Sequence, residues 1–366
     1  MTDQDDFVKA IGEFCRREVD RKQRVPHDDE LYRKLADLGW LGLSLPEEYG
    51  GGGRGMADLV LFLDETAYWR APIGGFATTI IAASAYEKFG SAEQKREILP
   101  AVAGGSVLSI SMSEPEAGSD VGALSCRAER RGDGWVLNGQ KTWCSNAHFA
   151  DHILLVARTS PGEGKHAGMT MFSVPAMVDG LAVRGIETMG GKEVNDLYLT
   201  DCVVSADAVV GTVDQGWKQL MTGLNLERMI LAAVMLGTAR RAFEDTLAYI
   251  RERHQFGRPI GSFQALRHRL ADHATELECT RLLVHDVAAK IDANPDRSLP
   301  REASMAKLKA TEFAKAMALD GMQMLGGYGY ATEYGMEGLL RSAVVSTVYG
   351  GTSEIQRDII GKTYGL

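Results

Sequence analysis

Leu220–Leu236, LMTGLNLERMILAAVML, is the stretch on which the reading of this chain turns. Wound at 3.6 residues per turn, Leu220, Leu224, Leu231 and Val234 share one apolar stripe, and Glu227 stands in the middle of it. A carboxylate among apolar neighbours is disfavoured in its charged form, so its pKa rises towards the range where a general base works. The plainer alternatives are that Glu227 pairs with Arg228 or another cation, or that it lies at a wet edge of a wide stripe. The stretch belongs to a helical signal over 216–253, followed by others over roughly 261–291 and 302–325. Long amphipathic helices in a row suggest an antiparallel bundle.

Upstream the pattern changes. Between about Val107 and Val210, short runs rich in β-branched and aromatic residues (SVLSISMS, WVLNGQKTW, HILLVART, MTMFSVPA, LAVRGIET, NDLYLTDCVV) alternate with turns such as RGDG, PGEGKHAG and VDG. Strands without intervening helices predict an antiparallel barrel or sandwich. From Asp6 to about Gly105 the periodicity is helical again, and Ser91 with Gln94 has capping-box spacing. The expected fold class is α+β: an N-terminal all-α domain (1–106), a middle antiparallel β-domain (107–213) and a C-terminal helical bundle (214–366).

The 366 residues, 45 % hydrophobic and 24 % charged, are ample for a packed core. A net charge of −9 argues against binding a polyanion, so no nucleic acid is expected. Five scattered cysteines (Cys15, Cys126, Cys144, Cys202, Cys279) lack ligand spacing, which argues for a reducing compartment and no structural metal. No run reaches the length of a membrane span and the N-terminus lacks the regions of a signal peptide, so a cytoplasmic protein without membrane association is expected.

No GxGxxG after a strand, Walker loop, HExxH or nucleophile elbow is present. Three polar, glycine-bearing segments stand out instead. SMSEPEAGSD (Ser111–Asp120) offers hydroxyls and Gly118 for close backbone approach, or is a polar turn. GGYGY (326–330) ends a helix, where Gly326 or Gly327 would serve as its left-handed cap. In YGGTSEIQR (349–357), Ser353 and Gln356 have capping-box spacing, so free N–H groups at a helix start follow two glycines.

These segments, with NGQKTWxSN (138–146), RHQFGRPIxxFQ (253–264) and QxxGGYGY (323–330), occur in an order that resembles the acyl-CoA dehydrogenase family over essentially the whole chain. The resemblance implies an N-terminal helical domain, a middle β-domain and a C-terminal four-helix bundle that hold FAD in a homotetramer built as a dimer of dimers. It implies that Met112, Ser113, Trp143 and Ser145 meet the flavin ring, and that Ser119 lies near the pyrophosphate or the CoA thread. Arg253, Phe256, Gln264, Gln323 and Gly327 would clasp the cofactor's adenosine and pyrophosphate from a neighbouring subunit. Thr352 and Glu354 would close the cofactor site, while Asn225, Arg228 and Gly351 would face the acyl-CoA.

The implied reaction is dehydrogenation of an acyl thioester to the trans-2-enoyl thioester: a carboxylate takes the α-proton, the β-hydrogen leaves as hydride to the flavin, and an electron-transfer flavoprotein receives the electrons. In medium- and short-chain relatives the acid follows the tyrosine of the last motif, where this chain has Gly350. Isovaleryl-CoA and long-chain relatives place it on the bundle helix in an L-x-x-E-R context, which here is Leu224–Arg228, with Glu227 as base. Gly350 would contribute its N–H to the thioester carbonyl, so Gly350→Pro is expected to cost more than Gly350→Ala. The base position hints at a branched, long or bulky acyl chain. Arg341-Ser342-Ala343-Val344 departs from the usual R-D-A-K, which puts a local ion pair in doubt. Two other readings stand beside this one: a flavin-dependent oxidase or monooxygenase on the same scaffold, and a non-catalytic subunit of a hetero-oligomer.

Overall fold

The computed structural model describes residues 3–20 and 25–366. The chain begins with helices α1 (Asp3–Glu18), α2 (Asp29–Asp37), α3 (Met56–Trp69), α4 (Gly75–Phe89) and α5 (Ala92–Ala103). Local sequence sets two of their starts. Asp28 accepts the Leu31 N–H ahead of α2, and Ser91 and Gln94 form the expected capping box ahead of α5.

Eight strands follow: β1 (Leu108–Ser111), β2 (Arg127–Arg131), β3 (Gly134–Ser145), β4 (His152–Arg158), β5 (Met169–Pro175), β6 (Leu181–Thr188), β7 (Gly191–Val204) and β8 (Val209–Val210). They form one sheet in the order β6-β7-β3-β2-β4-β5-β8, with β1 beside β4. Most neighbours are antiparallel, but β1 runs parallel to β4 from Leu108↔His152 to Ser111↔Leu155, and β2 meets β4 in parallel at Arg127↔Arg158. The sheet is therefore mixed, which corrects the expectation of a purely antiparallel one. Tight turns reverse the chain only between consecutive strands, whereas the long run from Ser111 to His152 lets it return in its original direction. Strand β2, RAERR, escapes sequence reading because Ala128 alone points inward. Its pairing comes from β3, across the turn after Arg131.

The chain closes with α6 (Gly216–Glu252), a hairpin of β9 (His254–Gln255) and β10 (Arg258–Pro259), then α7 (Gln264–Ala293), α8 (Pro300–Leu325), α9 (Gly327–Tyr330), α10 (Met336–Ser346) and α11 (Ser353–Lys362). Two compact units result. One comprises Val25–Arg54 and Ile73–Leu224; the other comprises the described residues before Val25, Gly55–Pro72 and Asn225–Leu366.

The core of the first unit lies on the sheet. Leu137, Leu155, Phe172 and Leu197 pack as one buried cluster, and Ala83, Tyr86 and Leu99 from α4 and α5 pack with Leu154 and Met171 as another. Each large side chain so buried contributes about 1.5–3 kcal/mol. The Tyr86 hydroxyl meets the Ser173 hydroxyl at 2.8 Å, which settles its polar end.

In the second unit Ile250 of α6, Leu270 of α7 and Met324 of α8 form one buried cluster, with α7 packed on α8, α1 on α3, α3 on α7, and α10 and α11 on α8. At Gly237 a Cβ would lie 2.0 Å from the Asp64 carbonyl oxygen, so only glycine lets α3 approach α6 this closely. Arg240 joins the same helices by donating to Glu65 Oε2 at 2.6 Å, with Asp64 at 3.4 Å. Among the described residues α6 is one helix long and apolar enough to cross a membrane, contrary to the expectation that no run reaches that length. Half of its most apolar window is buried inside the protein, the use that a core helix makes of the same composition.

Candidate active site

The predicted stripe holds in part: Leu220 is buried in the core cluster that contains Leu154 and Met171. Leu224, Glu227, Leu231 and Val234 are half-buried on α6, while Arg228, Met229 and Ile230 between them are buried. Glu227 makes no hydrogen bond and no ion pair among the described residues. Burial nevertheless pushes its pKa up, opposed by the charges of Arg228 and Lys307. Its oxygens are not among the sealed, partnerless atoms of the interior. The carboxyl is crowded by protein yet not sealed from its surroundings. Arg228 turns away from it: Nη1 donates to Asn225 Oδ1 at 2.9 Å, Nε has no partner, and Asn225 Nδ2 in turn donates to Ser298 Oγ at 3.1 Å. The alternative in which an ion pair neutralises Glu227 therefore fails.

Facing this stretch of α6 is the loop between α10 and α11. Gly350 and Gly351 have φ of +61° and +81°, the left-handed region that side chains disfavour. A Cβ on Gly350 would sit 2.3 Å from Leu231 Cδ1 and 3.5 Å from Glu227 Oε1. An acid at position 350 thus has no room while Leu231 stands where it does, and Glu227 already brings a carboxylate to the same place. The Gly350 N–H has no hydrogen-bond partner among the described residues. At this φ proline, fixed near −65°, and alanine are both strained, so comparing the two does not isolate the N–H as the sequence suggested.

The start of α11 also differs from expectation. Thr352, not Ser353, is the N-cap, accepting the Ile355 N–H at 3.3 Å. Gln356, freed from a capping box, donates from Nε2 to the carbonyls of Gly350 and Gly351, both at 3.0 Å. These two glycine carbonyls, five and six residues back along the chain, take the place of the expected cap. Backbone N–H groups at this helix start and the Thr352 hydroxyl lower the pKa of Glu354. Thr352 and Glu354 line an open recess together with Thr347, Val348 and, from α8, Glu312 and Lys315. Arg341 on α10 pairs with Glu337 one turn earlier, which resolves the doubt raised by the missing R-D-A-K pair.

In the sheet unit, β3 slips register against β7 between Lys141 and Cys144. Trp143 sits in that bulge at φ +59° with 58 % of its surface exposed, a strained backbone presenting a flat aromatic face. The Thr142 N–H donates to the Ser113 carbonyl at 3.0 Å and Lys141 Nζ to the Met112 carbonyl at 3.0 Å. The Ser145 carbonyl accepts from Ser109 Oγ at 2.6 Å. Met112, Ser113, Trp143 and Ser145 are thereby gathered at one place, and Ser119 lies exposed on the loop that leaves it. An open indole face beside hydroxyl-bearing and backbone groups suits a planar ring with polar edges, which is the shape of a flavin.

The remaining expected cofactor contacts lie on the surface of the helical unit. Arg253, Phe256, Gln264, Gln323 and Gly327 are all exposed. The Arg253 guanidinium lies 5.5 Å from the centre of the Tyr328 ring and makes no ion pair among the described residues, so its charge is free for an anion. Phe256, at φ +52° and 92 % exposed, stands out from the β9–β10 hairpin. Gly326 does cap α8, but not in the expected left-handed helical form: its φ +61°, ψ −139° lies outside that region and is open mainly to glycine.

Sequence reasoning passed over two lysines. Lys141, fully buried, pairs with Glu114 at 2.8 Å. Glu114 also accepts from Ser125 N and Oγ and from Cys126 N, so it ties the SMSEPEAGSD loop to β3. Lys307, also fully buried, lies on α8 in step with Ala303, Ala306, Ala310 and Ala314. A lysine on a stripe of small buried residues was the signal that could have found it.

Three family profiles match the chain: "Acyl-CoA dehydrogenase, N-terminal domain" over 1–106, "middle domain" over 109–202 and "C-terminal domain" over 214–365. The mitochondrial isovaleryl-CoA dehydrogenase of Solanum tuberosum is 34 % identical over 98 % of this chain and 90 % of its own length. The mitochondrial 2-methylacyl-CoA dehydrogenase of the same plant is 33 % identical with the same coverage of both chains. The crystal structure of an acyl-CoA dehydrogenase from Geobacillus kaustophilus superposes with a TM-score of 0.94 at 30 % identity, covering 100 % of this chain and 99 % of that one. With its helical, mixed-sheet and helix-bundle parts in that order, this chain belongs to the acyl-CoA dehydrogenase family, close to the isovaleryl-CoA or branched-chain type, and is an oxidoreductase acting on an acyl thioester.

Proposed function

We propose that the chain dehydrogenates a branched or bulky acyl-CoA to its trans-2-enoyl thioester, with Glu227 as the base. The observation that carries this reading is a reachable, unpaired carboxyl whose pKa burial has raised, next to a glycine loop with an unused N–H. Glu227 takes the α-proton. The Gly350 N–H donates to the thioester oxygen as charge gathers there, which lowers the barrier to forming the enolate. Leu224, Leu231 and Val234 keep water from the carboxyl and supply an apolar wall for the acyl chain. FAD, the cofactor typical of this fold family, supplies the two-electron acceptor for the β-hydrogen when bound. Met112, Ser113, Trp143 and Ser145 would hold its ring, Ser119 would lie near its pyrophosphate or the CoA thread, Thr352 and Glu354 would close its site, and Arg253, Phe256, Gln264, Gln323 and Gly327 would clasp the adenosine and pyrophosphate of a neighbouring subunit's cofactor. Asn225, Arg228 and Gly351 would bound the thioester side.

The names of the relatives, isovaleryl-CoA and 2-methylacyl-CoA dehydrogenase, support a branched chain. A homotetramer, an electron-transfer flavoprotein as acceptor and a cytoplasmic setting away from membranes complete the reading. Anaerobic titration of the yellow protein with straight and branched acyl-CoAs tests it by bleaching of the flavin. Glu227→Gln should keep the flavin and lose the bleaching by roughly 10²- to 10⁴-fold, the usual worth of a positioned base. Retained bleaching in that variant rejects Glu227 as base, and rapid reoxidation of the bleached protein by oxygen favours an oxidase.

The pH dependence has a definite sign. The rate should rise with pH as Glu227 deprotonates, through a pKa above the ordinary carboxylate range. Folded Glu227 holds its proton more tightly than unfolded Glu227, so it withdraws stability as pH climbs from the ordinary value through the folded one. Glu227→Gln should therefore melt no lower than the parent at pH 7.

A further inference from the structure

Among the described residues of the helical unit Lys307 is the one fully buried cation, and its position on α8 is costly. Removing an ammonium from water is unfavourable by several kcal/mol unless hydrogen bonds and opposite charge offset it. Burial accordingly lowers its pKa to about 8, against the pull of Glu227, Glu312 and Glu354 and with a push from Arg228. A methionine would fill the same volume without that cost, so the amine must be serving other groups.

Those groups are main-chain oxygens. Lys307 Nζ donates to the Ser346 carbonyl at 3.0 Å and to the Gly351 carbonyl at 2.9 Å. Ser346 is the last residue of α10, where a cation also meets the negative end of the helix dipole. Gly351 lies just before the cap of α11. One ammonium thus holds both ends of the segment that carries Gly350, and Gln356 reinforces the second end from the other side. Between the two anchors a left-handed glycine has little intrinsic stiffness. The direction of its N–H depends on the anchors.

We propose that Lys307 is a positioning residue for the reaction: it fixes the Ser346–Gly351 segment so that the Gly350 N–H is aimed at the substrate carbonyl, and it holds its positive charge on the loop that lies against Glu227. This rests on the reading of Glu227 and Gly350 given above. The charged groups acting on Glu227 are Arg228 on its own helix and Lys307 on α8, and Lys307 alone of the two is tied to the loop.

The test uses the flavin-loaded protein carrying Lys307→Met, which keeps volume and removes donor and charge, and Lys307→Gln, which keeps donors and removes charge. Flavin content and melting temperature report the fold, stopped-flow bleaching reports kcat, and the pH profile reports Glu227. Lys307→Met should lower kcat by about ten- to a hundredfold, as expected for a catalytic contact misplaced by about 1 Å, with a much smaller change in KM. Lys307→Gln should lose less. In both, the acid limb of the profile should move to higher pH, because a nearby positive charge had favoured the carboxylate.

A wild-type kcat with an unmoved limb in Lys307→Met overturns the proposal, as does a fall in kcat that accompanies flavin loss and leaves the limb in place. Should Lys307→Met fail to fold, an unmoved limb in Lys307→Gln overturns it equally. Glu227→Gln separates the two readings. If that variant still bleaches, the base assignment fails whatever Lys307 does; if it does not, and the Lys307 variants match the parent, only the role of Lys307 fails.

Discussion

Adding one methyl group at Gly350 probes the geometry on which the base assignment depends. The new Cβ would meet Leu231 Cδ1 at 2.3 Å, well inside the 3.5–4.0 Å of ordinary carbon contact. Leu231 is half-buried and its methyl is the free end of the side chain, so it can swing aside at about 0.5–1.5 kcal/mol for leaving its rotamer. The left-handed φ of +61° adds roughly 1–2 kcal/mol that no rearrangement of Leu231 relieves. The Glu227 oxygen at 3.5 Å is in ordinary contact and need not move.

Gly350→Ala should therefore lose about 1.5–3.5 kcal/mol of stability, the sum of those two terms. It should also lose bleaching rate through a shifted N–H. Combined with Leu231→Ala, the steric part vanishes and the backbone part remains, so a double-mutant cycle should show the two sites coupled by roughly 1 kcal/mol. Chemical denaturation of the four proteins measures the coupling, and anaerobic bleaching measures the rate. Additive losses, or a Gly350→Ala protein as stable and as fast as its parent, would refute the placement of Leu231 and Glu227 against the glycine loop.

Two further outcomes concern the sheet unit. Lys141→Met leaves Glu114 as a buried charge without its partner and should cost about 3–5 kcal/mol, read as a lowered melting temperature. Glu114→Gln in the same protein should restore part of it, and no recovery would count against the pair. Trp143→Gly removes a side chain from a left-handed backbone, so the flavin-free protein should melt at or above the parent temperature while flavin affinity falls. Undiminished affinity would argue that the exposed indole has another purpose.

What the sequence determined alone is what depends on period and local chemistry. The 3.6-residue stripe that singles out Glu227, the long helices, six of the strands and the Ser91–Gln94 cap follow from side chains within a turn or two of one another. Short-range physics suffices for them. The family motifs added a list of contacts but no geometry. Only the tertiary structure decided that β1 and β4 run parallel, that RAERR is a strand, that Thr352 displaces Ser353 as cap, and that Lys307 holds both ends of the loop bearing Gly350. In the pairing of β1 with β4 and in the reach of Lys307 to Ser346 and Gly351, a strand edge or a polar group is satisfied by a partner distant in the chain. RAERR pairs across a short turn and Thr352 caps Ile355 three residues on, so there the fold chose between locally available options. The energy of a buried hydrogen bond depends on what the fold brings within 3 Å or so, and nothing in local sequence specifies that.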